Sequence, residues 1–203
     1  MDDLNLKDLC RTYPVTAVLT AINIVFFLFL DLTGITETTA GMLNWGACYY
    51  PYVFSRGEYW RLITAVFMHF NISHLAGNML ALILLGYRLE KLLGHVQYLL
   101  VYLITGAGAN LLSLLINNLL GPNYVTAGAS GAIFGVIGAL FAFLLLSRGS
   151  IDGVGYRQMI IGVIFLIYTS TIDSSVDFIG HAAGLVIGFL LGVLLYRIRE
   201  RGR

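Results

Sequence analysis

Three clusters of polar residues interrupt otherwise apolar stretches of this chain. They hold, in chain order, two histidines with an asparagine, a serine flanked by small residues, and a further histidine. These residues are His69, His74 and Asn78, then Ser130 within Gly128–Gly131, then His181 within Asp177–Gly184. Polar side chains inside an apolar segment are costly and tend to mark function. The clusters together contain the residue types that an acyl transfer requires.

A serine hydroxyl and an imidazole can together perform nucleophilic catalysis. The hydroxyl is a weak nucleophile until a neighbouring base takes its proton, and imidazole, with an ordinary pKa of about 6.5, suits that task. The oxyanion of the tetrahedral intermediate also needs hydrogen-bond donors. Candidate donors are the Asn78 amide, the His74 ring N–H and the backbone N–H of Ser130, which opens a predicted helix. The pattern predicts Ser130 as the nucleophile and His181 as its base.

The composition indicates that these residues lie in a membrane protein. Of the 203 residues, 58% are hydrophobic and 11% are charged, with a mean hydropathy of +0.83. A soluble domain carries about 45–50% apolar and about 25% charged residues. The net charge of +1 indicates no nucleic-acid partner. Cys10 and Cys48 flank the first apolar run, so they are expected on opposite sides of the membrane without a disulfide or a zinc site.

Six apolar runs are long enough to be read as membrane-spanning helices, which predicts an all-α polytopic bundle. A span needs roughly 20 mostly apolar residues, within a range of about 17–25. The fifth run is short for a span. The six runs are Pro14–Leu32, Asn71–Leu89, Val96–Leu119, Ser130–Leu146, Gln158–Ile172 and Asp177–Tyr196.

The basic residues predict the orientation of the bundle. One set of loops and ends contains 10 of the 12 Lys and Arg residues, whereas the other contains only Arg56 and Arg61. Because cytoplasmic loops carry the excess of Lys and Arg, both termini are expected in the cytoplasm. We therefore divide the chain into a short cytoplasmic segment (1–13), a six-helix domain (14–197) and a basic cytoplasmic tail (198–203). The cell membrane is the expected location.

The predicted orientation places the three polar clusters at one depth. The second, fourth and sixth spans all run inward, and each cluster lies near the start of one of them. Gly131 and Gly135 are four residues apart, as are Gly184 and Gly188. Small residues at this spacing let two helices approach closely. We therefore expect the fourth and sixth spans to bring Ser130 within reach of His181.

Each residue also has a structural interpretation when it is considered alone. Ser130 could bond to a carbonyl of its own helix, His181 could be a packed polar residue, and Asn78 could join two helices. The glycine pairs are more simply packing devices. Asp177 lies four residues before His181 and could orient the imidazole, but an aspartate at a helix start commonly caps it. We favour capping for Asp177.

The same motifs resemble the rhomboid family of intramembrane serine proteases. The resemblance rests on Trp60-Arg61 in the first loop, on the spacing of His69, His74 and Asn78, on Gly128-Ala129-Ser130-Gly131, and on His181-Ala182-Ala183-Gly184 followed by Gly188. It implies a six-helix rhomboid-like bundle with a catalytic dyad of Ser130 and His181. It further implies that His74 and Asn78 stabilise the oxyanion and that Phe134 stacks on the imidazole. His69, Gly128, Gly131 and Gly184 support this site.

The resemblance also implies a substrate class. Rhomboid proteases are expected to cleave proteins with a single membrane helix near its outer end, in the lipid bilayer and without a metal or organic cofactor. Two alternatives are a catalytically inactive rhomboid-like protein that binds membrane clients and, with less support, a small transporter. The natural substrate, the cleavage motif, the oligomeric state and the helix or loop that admits substrate stay open.

Overall fold

The computed structural model describes residues 10–121, 124–151, 153–155, 157, 159–160, 164 and 177–201. Five helices in these ranges are long and apolar enough to cross a membrane. They are α1 (Pro14–Leu32), α4 (Ile72–Leu93), α5 (His95–Leu120), α6 (Ser130–Ser147) and α7 (Phe178–Arg201). The five spans that the sequence predicts in these ranges are thereby confirmed, and the chain is an all-α integral membrane protein with multiple spans. The predicted fifth span, Gln158–Ile172, lies outside the described residues except for three positions.

The segment between α1 and α4 is folded from short elements. It contains two short α-helices, a π-helical turn and two 3₁₀ turns, which are α2 (Thr39–Trp45), α3 (Arg61–Thr64), Pro51–Ser55, Ile35–Glu37 and Ala65–Phe67. Arg61 joins α3 to α2, because its buried guanidinium donates to the carbonyl oxygens of Leu43 and Ala47 and pairs with the Glu58 carboxylate. A hairpin of β1 (Ser150–Ile151) and β2 (Val154–Gly155) follows α6.

Helices α6 and α7 pack backbone against backbone. A Cβ atom added to Gly184 would overlap the carbonyl oxygen of Gly131, and one added to Gly188 would overlap that of Gly135. Only a residue without a side chain permits such an approach, so the predicted role of both glycine pairs in packing is confirmed. The α6 helix is the most enclosed of the five spans, with most of its side chains buried. The start of α6 and the second turn of α7 are therefore held in a fixed relation.

The opposite end of the bundle is held by Glu90, which the sequence analysis did not identify. This carboxylate is 2% exposed and accepts hydrogen bonds from the backbone N–H groups of Val15 and Thr16 and from the Thr16 hydroxyl. Glu90 on α4 thus caps the first turn of α1, and it also contacts His95 Nδ1 at 2.7 Å. Arg199 of α7 donates to the Leu92 carbonyl at the same end. The C-terminal ends of α4 and α7 therefore lie together, so these two helices run in the same direction.

Both cysteines that the structure describes are free thiols. Cys10 is exposed, whereas Cys48 is buried and donates from Sγ to the Arg61 carbonyl oxygen at 3.1 Å. Burial raises the pKa of Cys48 to about 12, although the Arg61 charge acts in the opposite direction. A thiol in the state of Cys48 is a poor nucleophile.

Candidate active site

The first polar cluster surrounds the start of α4. Asn71 caps this helix, because its Oδ1 accepts the backbone N–H of His74 at 2.8 Å and the Ser73 hydroxyl at 2.6 Å. An asparagine at this position satisfies N–H groups that a helix start leaves without partners. His74 and Asn78 then follow one turn apart on one face of α4. The cap thereby fixes the direction in which both side chains leave the helix.

His69 orients the Asn78 side chain. The Asn78 amide nitrogen lies 3.0 Å from His69 Nε2 and donates one of its two N–H groups to it. His69 has no exposed surface, and burial together with the nearby His74 lowers its pKa to about 3, against a smaller opposite effect of the Phe67 backbone. The imidazole is therefore neutral near pH 7 and accepts a hydrogen bond through Nε2. The second N–H of Asn78 is not used by this bond.

Gly128 brings the His74 ring against the segment that carries Ser130. The residue has a φ of +140° and its N–H donates to the Ala65 carbonyl oxygen at 2.9 Å. A Cβ at position 128 would stand 2.9 Å from His74 Nε2 and 3.7 Å from Ser130 Oγ. Any side chain would therefore occupy the space between the imidazole and the hydroxyl. Both the backbone conformation and the neighbouring ring require glycine at this position.

Ser130 is the first residue of α6. Ala129, which precedes it, is fully buried and makes no side-chain cap. The first N–H groups of a helix have no acceptor within the helix, and the helix dipole favours negative charge beside them. The backbone N–H of Ser130 therefore belongs to the set of groups that can bind an anion. This environment agrees with the predicted oxyanion site.

His181 of α7 packs against the face of α6 that begins with Ser130. Its ring stacks on Phe134 with centroids 4.3 Å apart and planes inclined by 13°. Phe134 follows Ser130 by four residues, so the two share one helix face. At the same level, a Cβ on Gly131 would stand 3.9 Å from the Gly180 carbonyl oxygen. The stacking of Phe134 that the resemblance implied is therefore present in the structure.

Asp177 caps α7. Its Oδ1 accepts the backbone N–H of Gly180 at 2.9 Å, and its backbone oxygen accepts the N–H of His181 at 3.0 Å. Its Oδ2 accepts the Ser113 hydroxyl at 2.6 Å. The capping interpretation is therefore confirmed. The partner Ser113 lies on α5, which the sequence analysis did not connect with the site.

The structure gathers the predicted site residues into one layer at the starts of α4, α6 and α7. His74 and Gly128 lie beside Ser130, Asn78 is held by His69, and His181 is stacked on Phe134. Gly184 lies one turn further along α7 and acts through helix packing. A missed signal was the spacing of Asn110, Ser113 and Asn117 on α5, which places three polar side chains on one face of an apolar helix.

These features define a multi-span helical membrane protein with a serine and histidines grouped at one end of the bundle. The family model described as Rhomboid domain matches residues 56–198. The chain is also 34% identical over 202 residues to a Bacillus subtilis (strain 168) protein named "Putative rhomboid protease YdcA". That match covers 97% of this chain and 96% of the relative. The chain belongs to the rhomboid family.

Two further relatives are longer than this chain. "Rhomboid protease GluP" of Bacillus subtilis (strain 168) is 34% identical over 181 residues, which are 89% of this chain and 34% of the relative. "Rhomboid-like protease 2" of Toxoplasma gondii is 35% identical over 148 residues, which are 71% of this chain and 50% of the relative. The chain thus spans between a third and half of these two proteins. Its family supports intramembrane proteolysis as the general activity.

Proposed function

We propose that this protein is an intramembrane serine endopeptidase in which Ser130 and His181 form the catalytic dyad. The observation that supports the dyad most directly is the stacking of the His181 ring on Phe134, one helical turn after Ser130. This stacking fixes the plane of the imidazole on the face of α6 that carries the hydroxyl. Backbone contact between Gly131 and Gly184 limits how far the two groups can separate. The catalytic unit is residues 14–197, flanked by the cytoplasmic segments 1–13 and 198–203.

The reaction is a two-step acyl transfer. Ser130 Oγ attacks the scissile carbonyl carbon while His181 takes the hydroxyl proton, and the carbonyl electrons move to the oxygen. When the tetrahedral intermediate collapses, the C–N bond breaks and His181 protonates the leaving amine. Water then enters, and its oxygen attacks the acyl carbon while His181 takes one of its protons. The ester bond between the acyl carbon and Ser130 Oγ breaks, and His181 returns the proton to Oγ, which releases the acid product and restores Ser130. Side-chain and backbone groups perform every step, so no cofactor is included.

The oxyanion is stabilised by donors from two helices. The proposed donors are the backbone N–H of Ser130, the ring N–H of His74 and the second amide N–H of Asn78. Support comes from the hydrogen bond between Asn78 and His69, which holds the amide before substrate arrives. Donors that are already oriented need no reorganisation when charge develops, and one such donor is typically worth about 10²–10³ in rate.

The substrates are membrane proteins with a single spanning helix, cleaved near its outer end. A peptide bond within a helix is shielded by its own hydrogen bonds and side chains, so the substrate must unwind locally before Ser130 can attack. Residues that weaken a helix, such as Gly and Pro, should therefore favour cleavage. In this proposal both termini lie in the cytoplasm, so α4, α6 and α7 start at the outer side of the cell membrane. The site at their starts therefore lies just below the external surface.

A fluorophosphonate probe on purified protein tests the dyad. We expect the wild type to be labelled and both Ser130→Ala and His181→Ala to remain unlabelled. Ser147→Ala is the matched control, because this exposed serine lies at the other end of the same helix and should leave labelling unchanged. Equal labelling of wild type and Ser130→Ala would refute the assignment. Absence of labelling in a folded wild type would favour the inactive, client-binding alternative.

Cleavage itself is tested in liposomes. Wild-type protein reconstituted with a panel of single-span membrane proteins should release a fragment that ends near the outer end of the substrate helix. Ser130→Ala should release none. Mass spectrometry of the fragments locates the cleaved bond, and a cut far outside the spanning helix would contradict the proposed substrate class.

A further inference from the structure

Three polar residues on α5 form a face that the proposed mechanism does not use. Asn110, Ser113 and Asn117 follow one another at intervals of three and four residues, so they share one side of the helix. Asn110 Nδ2 donates to the Leu62 carbonyl oxygen at 3.0 Å, which ties α5 to α3. Ser113 has no exposed surface, although it lies in an apolar span. A buried hydroxyl in a membrane helix is costly without a partner, so its partner indicates its role.

The hydrogen bonds of Ser113 are directed toward α7. Asn117 Nδ2 donates to Ser113 Oγ at 3.0 Å, and the Ser113 hydroxyl in turn donates to Asp177 Oδ2 at 2.6 Å. Both donations point to the carboxylate, so each bond strengthens the next by polarisation. The separation of 2.6 Å between Ser113 Oγ and Asp177 Oδ2 is that of a short O–H···O hydrogen bond. The chain of bonds therefore ends on a fixed carboxylate at the first turn of α7.

The Asp177 carboxylate is folded back onto the backbone that leads to His181. Its Oδ1 accepts the Gly180 N–H, and its main-chain oxygen accepts the His181 N–H. A Cβ at position 180 would stand 2.5 Å from Asp177 Oδ2 and 2.9 Å from its Cγ. Glycine at 180 is thus what allows the carboxylate to reach both the helix start and Ser113. The carbonyl oxygen of Gly180 also faces Gly131 on α6, the residue next to Ser130.

We infer that Ser113, together with Asn117, is a positioning residue for the His181 base, acting through Asp177. The inference rests on the proposed function. Packing of α6 on α7 brings the two backbones together from Gly184 onward. The first turn of α7, which carries His181, precedes this contact. The hydroxyl of Ser113 holds that turn from a third helix. Loss of this bond should leave the protein folded while the imidazole moves out of line with Ser130.

The test compares Ser113→Ala with one rescue variant and one control variant. The maximal rate constant of fluorophosphonate labelling, its half-saturating concentration and the final labelled fraction are measured for each. We expect Ser113→Ala to lower the maximal rate constant about 10- to 100-fold, because misplacement by about 1 Å has an effect of this size. The half-saturating concentration and the final labelled fraction should stay unchanged. Ser113→Thr keeps the hydroxyl and should restore the rate. Thr20→Val, which removes a buried hydroxyl bonded within α1, should label like the wild type.

Asp177→Asn separates the cap from the charge. Asparagine still accepts the Gly180 N–H, but its amide side offers N–H groups to Ser113 where the carboxylate accepted a bond. We expect the same loss of rate as in Ser113→Ala, and no further loss in the double variant. A wild-type rate constant in both single variants would overturn the inference. A reduced labelled fraction with a normal rate constant would also overturn it, because that result would mean that the substitution affects only how much protein is folded.

Hydrogen exchange supplies a measurement that does not depend on activity. In Ser113→Ala, amides of the first turn of α7 around Gly180 and His181 should exchange at least about tenfold faster, while those of α6 stay unchanged. Unchanged exchange at this turn would refute the positioning role whether or not the protein labels. Failure of the proposed function differs from failure of the positioning role, because it would appear as equal labelling of wild type and Ser130→Ala.

Discussion

Substitution of Gly184 by alanine should separate the activity of this protein from its stability. The added Cβ would stand 3.0 Å from the carbonyl carbon of Gly131 and closer to its oxygen, whereas ordinary contacts of a Cβ begin at 3.4 Å. The obstacle is backbone, so no side chain can move aside. Helix α7 must therefore shift by roughly 1 Å from α6 at the level of the site.

The two effects of this shift differ in size. Overpacking costs about 1–3 kcal/mol, and alanine regains about 1 kcal/mol of helix propensity over glycine. The net destabilisation is thus at most about 2 kcal/mol, which a well-folded bundle can tolerate. His181 lies one turn before Gly184 and moves with α7. A displacement of about 1 Å between reacting groups costs about 100-fold in rate, so activity falls far more than stability.

Labelling kinetics and thermal unfolding in the same detergent measure the two effects. Gly184→Ala should react about 100-fold more slowly and unfold at a modestly lower temperature. Gly77→Ala is the matched control, because an added Cβ there meets no atom within 4 Å. At the far end of the contact, Gly192→Ala should lower the unfolding temperature with little change in rate. If Gly184→Ala labels at the wild-type rate, the close contact of α6 and α7 does not control the site.

Three further predictions concern residues around the site and at the opposite end of the bundle. Gly128→Ala should abolish fluorophosphonate labelling, because its Cβ would enter the space between His74 and Ser130; labelling above about 10% of the wild-type rate would contradict this. Glu90→Gln should lower the unfolding temperature with less effect on labelling, because it removes the charged cap of α1 far from the site. His69 makes stability depend on pH: its pKa is about 3 in the fold and about 6.5 when unfolded, so the unfolded state binds the proton first as pH falls. Stability should therefore decrease below pH 6.5, by up to about 1.4 kcal/mol per pH unit. His69→Gln should show a shallower decrease in denaturant titrations at pH 7 and pH 5, and equal slopes would refute the role of His69.

The sequence predicted most of the bundle because lipid restricts the options for a polypeptide. A run of about 20 apolar residues must form a helix to satisfy its own backbone hydrogen bonds. The first span was therefore placed with the bounds that the structure has, Pro14–Leu32. The glycine pairs on α6 and α7 were equally informative, since their spacing predicted a close approach that the overlap of Gly184 with Gly131 confirms.

The sequence did not predict contacts that depend on three-dimensional partners. Glu90 lies near the end of α4, where a carboxylate is expected in water, and only the position of α1 reveals it as a cap for Val15 and Thr16. Arg61 was noted for its motif, but its bonds to the Leu43 and Ala47 carbonyl oxygens depend on the path of an irregular loop. Ser113 could have been found from its spacing on α5, although its partner could not.

The three helix starts at the site are capped in different ways, and this difference agrees with where negative charge should develop. Asn71 satisfies an N–H group at the start of α4, and Asp177 satisfies one at the start of α7. At the start of α6 the corresponding position is Ala129, whose side chain cannot accept a hydrogen bond. A capping carboxylate there would compete with the oxyanion for the same N–H groups. The helix that bears the proposed nucleophile is thus the one whose first turn has no side-chain cap, which leaves its donors and dipole for a substrate oxyanion.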